Sequence, residues 1–307
     1  MGRFATFLVG GLVGAGIALL TTPRTGEENR ALINDTLNEN YPDAMKAARE
    51  MMQHECGYSS VFRLSDQEET SMMLRLYNVD DTPLYPLLDK LGYKDMERCL
   101  FLGFTDGEKG YSKNVAKNIA KIARQHGGLP LTGYVTKSWE KGRFNDPYLR
   151  DTLMDFGITT DTLECTVNWS NMEQVHLDVR KVCHALPNTV VTTHMSHCYP
   201  QGANLYFIFL TKMQDEKAFK AYHTTILDAI QRSGASISHH HGIGKMFAPW
   251  LEGYVGEKEY GVFKVLKNYF DPKYNMNPGG TIGLDLLPEE KKFDRQYTDY
   301  EAQQKFD

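Results

Sequence analysis

Between Thr162 and Ser238 the hydrophobic period of the chain switches in an order that leaves few folds open. TLECTVNW (162–169) alternates apolar and polar positions as a strand does. A helix follows, opened by a capping box of Ser170 and Glu173 and striped by Met172, Val175, Val179, Val182 and Leu186. TVVTTHMS (189–196) and ANLYFIFL (203–210) read as two strands joined by a short turn. Glu216 to Arg232 forms a helix with Phe219, Tyr222, Ile226 and Ile230 on one side, stopped by Gly234, and ASIS (235–238) reads as a last short strand. Strand, helix, strand, strand, helix, strand is the order of the split β-α-β, or ferredoxin-like, layer. The fold class is therefore α+β, an antiparallel sheet covered by helices.

The upstream segments use the same grammar. Asp43 to His54 is helical with Met45, Ala48, Met51 and Met52 on one side, YSSVFRL (58–64) is a strand, and Ser65 with Asp66 caps a helix through Leu76. RCLFLGF (98–104) is a strand, and the helix after it turns Val115, Ile119 and Ile122 inward and places Gly127 at its C′ position. The chain has 307 residues with 11% aromatic, enough for real cores and not for disorder. A net charge of -5 argues against a nucleic-acid partner. The five cysteines form no C-x-x-C pair, so they read as reduced core thiols in a cytosol-like compartment, with no zinc or redox motif.

Phe4 to Leu20 carries no charge and contains the pair Gly10-x-x-x-Gly14, which predicts an apolar N-terminal helix anchoring the protein to a membrane. The segment is similar to YtxH-like glycine-zipper anchors. The expected organisation is an anchor (1–22), a polar linker (23–40), one domain (41–287) and a polar tail (288–307), the domain lying on the cytoplasmic side of the membrane.

Three segments carry candidate chemistry. Ser238-His239-His240-His241-Gly242-Ile243-Gly244 follows the last expected strand; extended chain would let at most His239 and His241 share a site, which counts against a metal centre. In the turn Ser196-His197-Cys198-Tyr199-Pro200-Gln201-Gly202, His197 and Tyr199 are proton carriers beside a proline that fixes the bend. Asp146 and Pro147 open a helix with Arg150 in its first turn, a fork suited to phosphate or carboxylate, or to an ion pair with Asp151 or Asp155.

PYLRDTLMDFGITTDTLECTVNW, SHCYPQGANLYF, SHHHGIGK and DPKYNMNPGGTIG together resemble the C-terminal cap half of the alkylglycerone-phosphate synthases. These form a branch of the FAD-linked oxidases of the vanillyl-alcohol oxidase type, and the resemblance runs from about Tyr41 to Leu287. It implies that Tyr199 is the active-site acid/base and that His239, His240 and His241, with Gly242, line the FAD and substrate pocket. It implies that Arg150 holds the substrate phosphate. The implied reaction exchanges the acyl group of acyl-dihydroxyacetone phosphate for a fatty alcohol, an ether-lipid synthesis with no net redox change. The 2-hydroxy-acid dehydrogenase branch resembles the chain less, because Tyr206 and His240 stand where that branch carries a histidine and a glutamate. No stretch before Tyr41 matches a flavin-binding domain, which leaves three explanations: a partner chain supplies it, the chain is a truncated or fused gene product, or a membrane-tethered cap is reused for non-catalytic binding.

Overall fold

The computed structural model describes residues 15–20, 40–54, 61–131, 133–144, 146–213, 215–284 and 286. They divide into two compact units, the first holding residues 1–161 and 190–211 and the second residues 162–189 and 212–307. The chain begins with β1 (Ala15–Leu20), α1 (Asn40–Gln53), β2 (Val61–Ser65), α2 (Gln67–Leu76), α3 (Leu84–Lys90) and β3 (Cys99–Phe104). It continues through α4 (Lys109–Gln125), β4 (Gly128–Leu131), α5 (Tyr134–Gly142), α6 (Asp146–Asp155), β5 (Thr159–Asn168) and α7 (Met172–Cys183). The last elements are β6 (Val190–Ser196), β7 (Gly202–Thr211), α8 (Glu216–Arg232), α9 (Ala248–Val255) and α10 (Glu257–Phe270).

The first unit is built on an antiparallel sheet ordered β4-β1-β3-β2-β6-β7. Side chains alternate across it, so the registers Arg63↔Ser196, Ser65↔His194, His194↔Tyr206 and Ser196↔Asn204 put these polar residues on one face. Further along that face Leu100 and Leu102 pack with Met73 of α2, Leu88 of α3 and Trp139 of α5 in one apolar cluster. The α2 helix starts where the sequence places it: Asp66 is its N-cap, and the Asp66 carboxylate accepts the N–H of Glu69 at 2.9 Å. Gly127, with φ +76°, closes α4 as expected.

The N-terminal expectation is corrected. Ala15–Leu20 is a strand, inserted between β3 and β4, with Ile17 opposite both Leu102 and Leu131. An uncharged run satisfies its backbone as well in the middle of a sheet as in a helix, and hydropathy alone does not separate the two. Among the described residues no helix is long and apolar enough to cross a membrane. Residues 4–14 of the expected anchor, the linker to residue 39 and the tail from 288 lie outside the described residues.

In the second unit, the stripe Met172, Val175, Val179 and Val182 of α7 is buried, as are Tyr222, Ile226 and Ile230 of α8. The two helices are tied by the Tyr222 hydroxyl, which donates to the Cys183 carbonyl at 2.6 Å. Two local expectations fail here. The N-cap of α7 is Asn171 and no side chain caps it; the Asn171 amide instead donates to the Ser233 carbonyl at the end of α8. Residues 235–238 are not a strand, because Ser236 meets β5 through its side chain: its backbone N–H donates to the Thr166 carbonyl at 3.0 Å, but the N–H of Thr166 goes to Ser236 Oγ at 2.7 Å. The ferredoxin-like order is thus kept through α8 and lacks its closing strand.

Candidate active site

Tyr199 stands in the turn between β6 and β7, in the first unit, and is 43% exposed. Its backbone N–H donates to the Gly202 carbonyl at 2.8 Å, and the Gln53 side chain of α1 donates to the Pro200 carbonyl at 2.8 Å. His197 enters the turn at φ +47°, a conformation that costs energy outside glycine and marks a bend imposed by its surroundings. Its Nδ1 is 3.1 Å from the Ser196 hydroxyl. The phenol is thereby held outward on a turn fastened at both ends.

Beneath this turn lies a buried charge group that sequence reasoning missed. Glu69 of α2 receives the Ser65 hydroxyl at 2.9 Å and pairs with the Arg63 guanidinium, while its second oxygen is 3.0 Å from His194 Nδ1. Burial by itself would raise the Glu69 pKa, but Arg63 and His194 together hold the carboxyl well below the usual range. Burial, seconded by Arg63, lowers the His194 pKa against the pull of Glu69. A neutral imidazole must then donate from Nδ1 to the carboxylate, which leaves its Nε2 an acceptor. The Tyr206 ring stacks on His194 at 4.6 Å and lies 6.3 Å from His197. Tyr206 thus fills, as an aromatic partner, the position where the dehydrogenase branch would carry a histidine. The only trace of this group in the sequence is polarity at alternate positions of apolar strands, Arg63 and Ser65 in one and His194 and Ser196 in another.

The histidine triplet belongs to the second unit, and its organiser is Glu164 of β5. That carboxylate is 0% exposed and is wrapped by the loop. Glu164 Oε1 accepts the Ser238 hydroxyl at 2.7 Å and the N–H groups of His239, His240 and His241 at 2.8, 2.9 and 2.9 Å. Burial pushes the Glu164 pKa up, and these donors outweigh it and bring it below the ordinary value. The chain is curled here, not extended, so all three rings are neighbours: 5.1 Å from His239 to His240 and 4.7 Å from His240 to His241, edge to face. The expectation that at most His239 and His241 share a site is corrected accordingly. Gly242, at φ +84°, takes the left-handed bend that ends the loop and donates its N–H to Ser238 Oγ at 3.1 Å. A glutamate inside the apolar strand TLECTVN was the available signal, since a buried carboxylate demands donors.

Arg150 lies on α6, in the first unit, with its side chain 64% exposed and 3.7 Å from Asp151. That is the weak surface ion pair foreseen as one alternative.

Residues 37–281 match the family described as FAD linked oxidases, C-terminal domain. The chain belongs to the FAD-linked oxidases. An alkyldihydroxyacetonephosphate synthase of Dictyostelium discoideum is 30% identical over 188 residues, 59% of this chain and 31% of that protein. The enzyme of the same name from Trypanosoma brucei brucei is 26% identical over 199 residues, 62% of this chain and 32% of it. An uncharacterized FAD-linked oxidoreductase of Escherichia coli K12, YgcU, is 31% identical over 202 residues, 59% of this chain and 41% of it. A solved alkyldihydroxyacetonephosphate synthase superposes with a TM-score of 0.62 at 20% identity, over 87% of this chain and 44% of that one, and shares the fold. The chain spans about a third of the length of the curated synthases it matches.

FAD is the cofactor of this family, and the residues present fit one part of it. The half-buried His239 ring and the exposed His240 and His241 rings can border a flat heterocycle with nitrogen donors and acceptors. The backbone N–H groups of His239, His240 and His241, of the kind that in other proteins cradle phosphates, are committed to Glu164, and that of Gly242 to Ser238 Oγ. This loop therefore suits the flavin ring and offers no seat for the pyrophosphate.

Proposed function

We propose that the chain is the cap half of a flavin-dependent enzyme that exchanges the acyl group of acyl-dihydroxyacetone phosphate for a fatty alcohol. The observation that carries this reading is the Tyr199 turn, fastened by Gln53 and Gly202, in a chain related to alkyldihydroxyacetonephosphate synthases over its family domain. In the exchange the carbon–oxygen bond to the carboxylate leaves, the alcohol oxygen bonds to the same carbon, and the alcohol proton is released. Tyr199, as the phenolate, takes a proton from that carbon onto its phenol oxygen and gives it back to the carbon once the ether bond has formed. The histidine loop orients the ring of the cofactor, held rigid from behind by Glu164. Flavin, when bound, supplies the electron sink for the exchange.

The flavin-binding half is supplied by further polypeptide. Supporting this, α10 exposes Val262, Val265, Leu266, Tyr269 and Phe270, a run of apolar surface that a free-standing domain rarely leaves bare. The experiment is co-expression of the full chain with the flavin-binding portion of the Dictyostelium discoideum synthase, followed by desalting, a visible spectrum and an exchange assay with hexadecanol. Retained flavin with exchange supports the reading, and retained flavin without exchange sinks it. Tyr199→Phe should lower turnover by about 10²–10⁴-fold with the melting temperature unchanged, since the hydroxyl is not part of the core. Equal turnover would remove Tyr199 from the chemistry.

A further inference from the structure

Two guanidinium groups of the first unit converge on one indole. The Arg63 guanidinium carbon lies 5.9 Å from the centre of the Trp139 ring and that of Arg143 lies 5.5 Å from it; Arg143 is also 4.8 Å from the Phe144 ring. Glu69 offsets the charge of Arg63. No carboxylate among the described residues does the same for Arg143. The Nε–H groups of both arginines are buried and lack an acceptor among the described residues. Asn204, fully buried and two strands from Arg63 in the row Arg63–Ser196–Asn204, also has both amide atoms without a partner among the described residues. Orphaned donors are rare in native proteins and ask for an acceptor.

Trp139 is 7% exposed and locked in the apolar cluster, so it is a rigid platform, whereas Phe144 is 71% exposed and Arg143 itself is partly exposed. A guanidinium stacked on aromatic faces keeps its planar fork for bidentate bonds to oxyanions. Arg150, by contrast, is solvated and shadowed by Asp151. We infer that Arg143, backed by Trp139, is the anion seat of the first unit and takes the phosphate of a phosphate monoester. The inference deepens the proposed function and rests on its phosphate-bearing substrate.

Calorimetric titration of the full chain tests it, with dihydroxyacetone phosphate, inorganic phosphate and dihydroxyacetone as separate probes. The two phosphates should bind and dihydroxyacetone should not. Arg143→Met should weaken phosphate binding at least about tenfold, Arg143→Lys by less, and Arg150→Met by under about threefold, each with a wild-type melting curve. Wild-type binding by Arg143→Met overturns the inference, as does absence of phosphate binding to the unaltered chain, which would leave water as the missing acceptor. Binding lost only in Arg150→Met also overturns it, yet leaves a phosphate substrate standing. Failure of the exchange assay with phosphate binding intact would instead count against the proposed reaction and not against this seat.

Discussion

Glu164 shows how a single residue can shape a site without reaching the substrate. Its carboxylate is removed from water and held mainly by backbone N–H groups, with His240 Nδ1 4.0 Å away. The charge is what the loop is folded around, and the depressed pKa sets the sign of the pH dependence. Stability from Glu164 is complete above the ordinary carboxylate range and is lost as pH falls through its lower folded value. Glu164→Gln keeps the shape but replaces an acceptor-only group with one that also donates, facing three N–H groups. It should cost roughly 3 kcal/mol at neutral pH and flatten the acid limb of stability in urea titrations across pH. An unchanged acid limb would mean that the loop does not depend on the charge.

At the scale of elements, the start of α2 links fold to site. Asp66 is fully buried, caps the helix through the N–H of Glu69, and donates its own N–H to the Thr193 carbonyl at 2.8 Å. The cap therefore fixes the residue that pairs with Arg63 and His194. Asp215 caps α8 in the same way, accepting from the Ala218 N–H at 2.8 Å, but near the surface. Asp66→Ala should cost about 1–2 kcal/mol and Asp215→Ala about 0.5–1 kcal/mol, both read from urea midpoints. Equal costs would show that burial adds nothing to the first cap. Elements of this kind were legible in the sequence, because capping residues and three-to-four stripes are local; α8 falls at Glu216–Arg232 as read. What was not legible depends on distant partners. Ser236 turns away from strand pairing only because β5 offers Thr166 to its hydroxyl, and Asn171 leaves its own helix for Ser233. Likewise Glu69 and His194 meet across 125 positions, which no local pattern announces. Tyr199 and the histidine triplet were singled out through motif resemblance, whereas Arg143 became visible only through what surrounds it.

For the molecule as a whole, the assignment of Ala15–Leu20 decides what the N-terminus is for. As a strand it supplies the inner edge for both β3 and β4, with register pairs from Ala15↔Phe104 to Leu20↔Cys99 on one side and Ile17↔Leu131 to Leu20↔Gly128 on the other. Removing it would leave two neighbouring strands with unpaired backbone groups beside the cluster that holds Leu102 and Trp139. A chain beginning at residue 30 should therefore lose at least about 3 kcal/mol of stability, and its bared strand edges should promote self-association. The urea midpoint of the shortened chain against the full chain measures the first effect, and light scattering after size exclusion the second. Amide exchange adds a local reading, since N–H groups of residues 99–104 that bond to β1 should exchange faster once it is gone. Loss of stability would tie the N-terminus to the sheet that carries Arg63, His194 and Trp139. Equal midpoints and equal exchange would show that β1 contributes nothing to the first unit, and would free the apolar run for a role outside the fold.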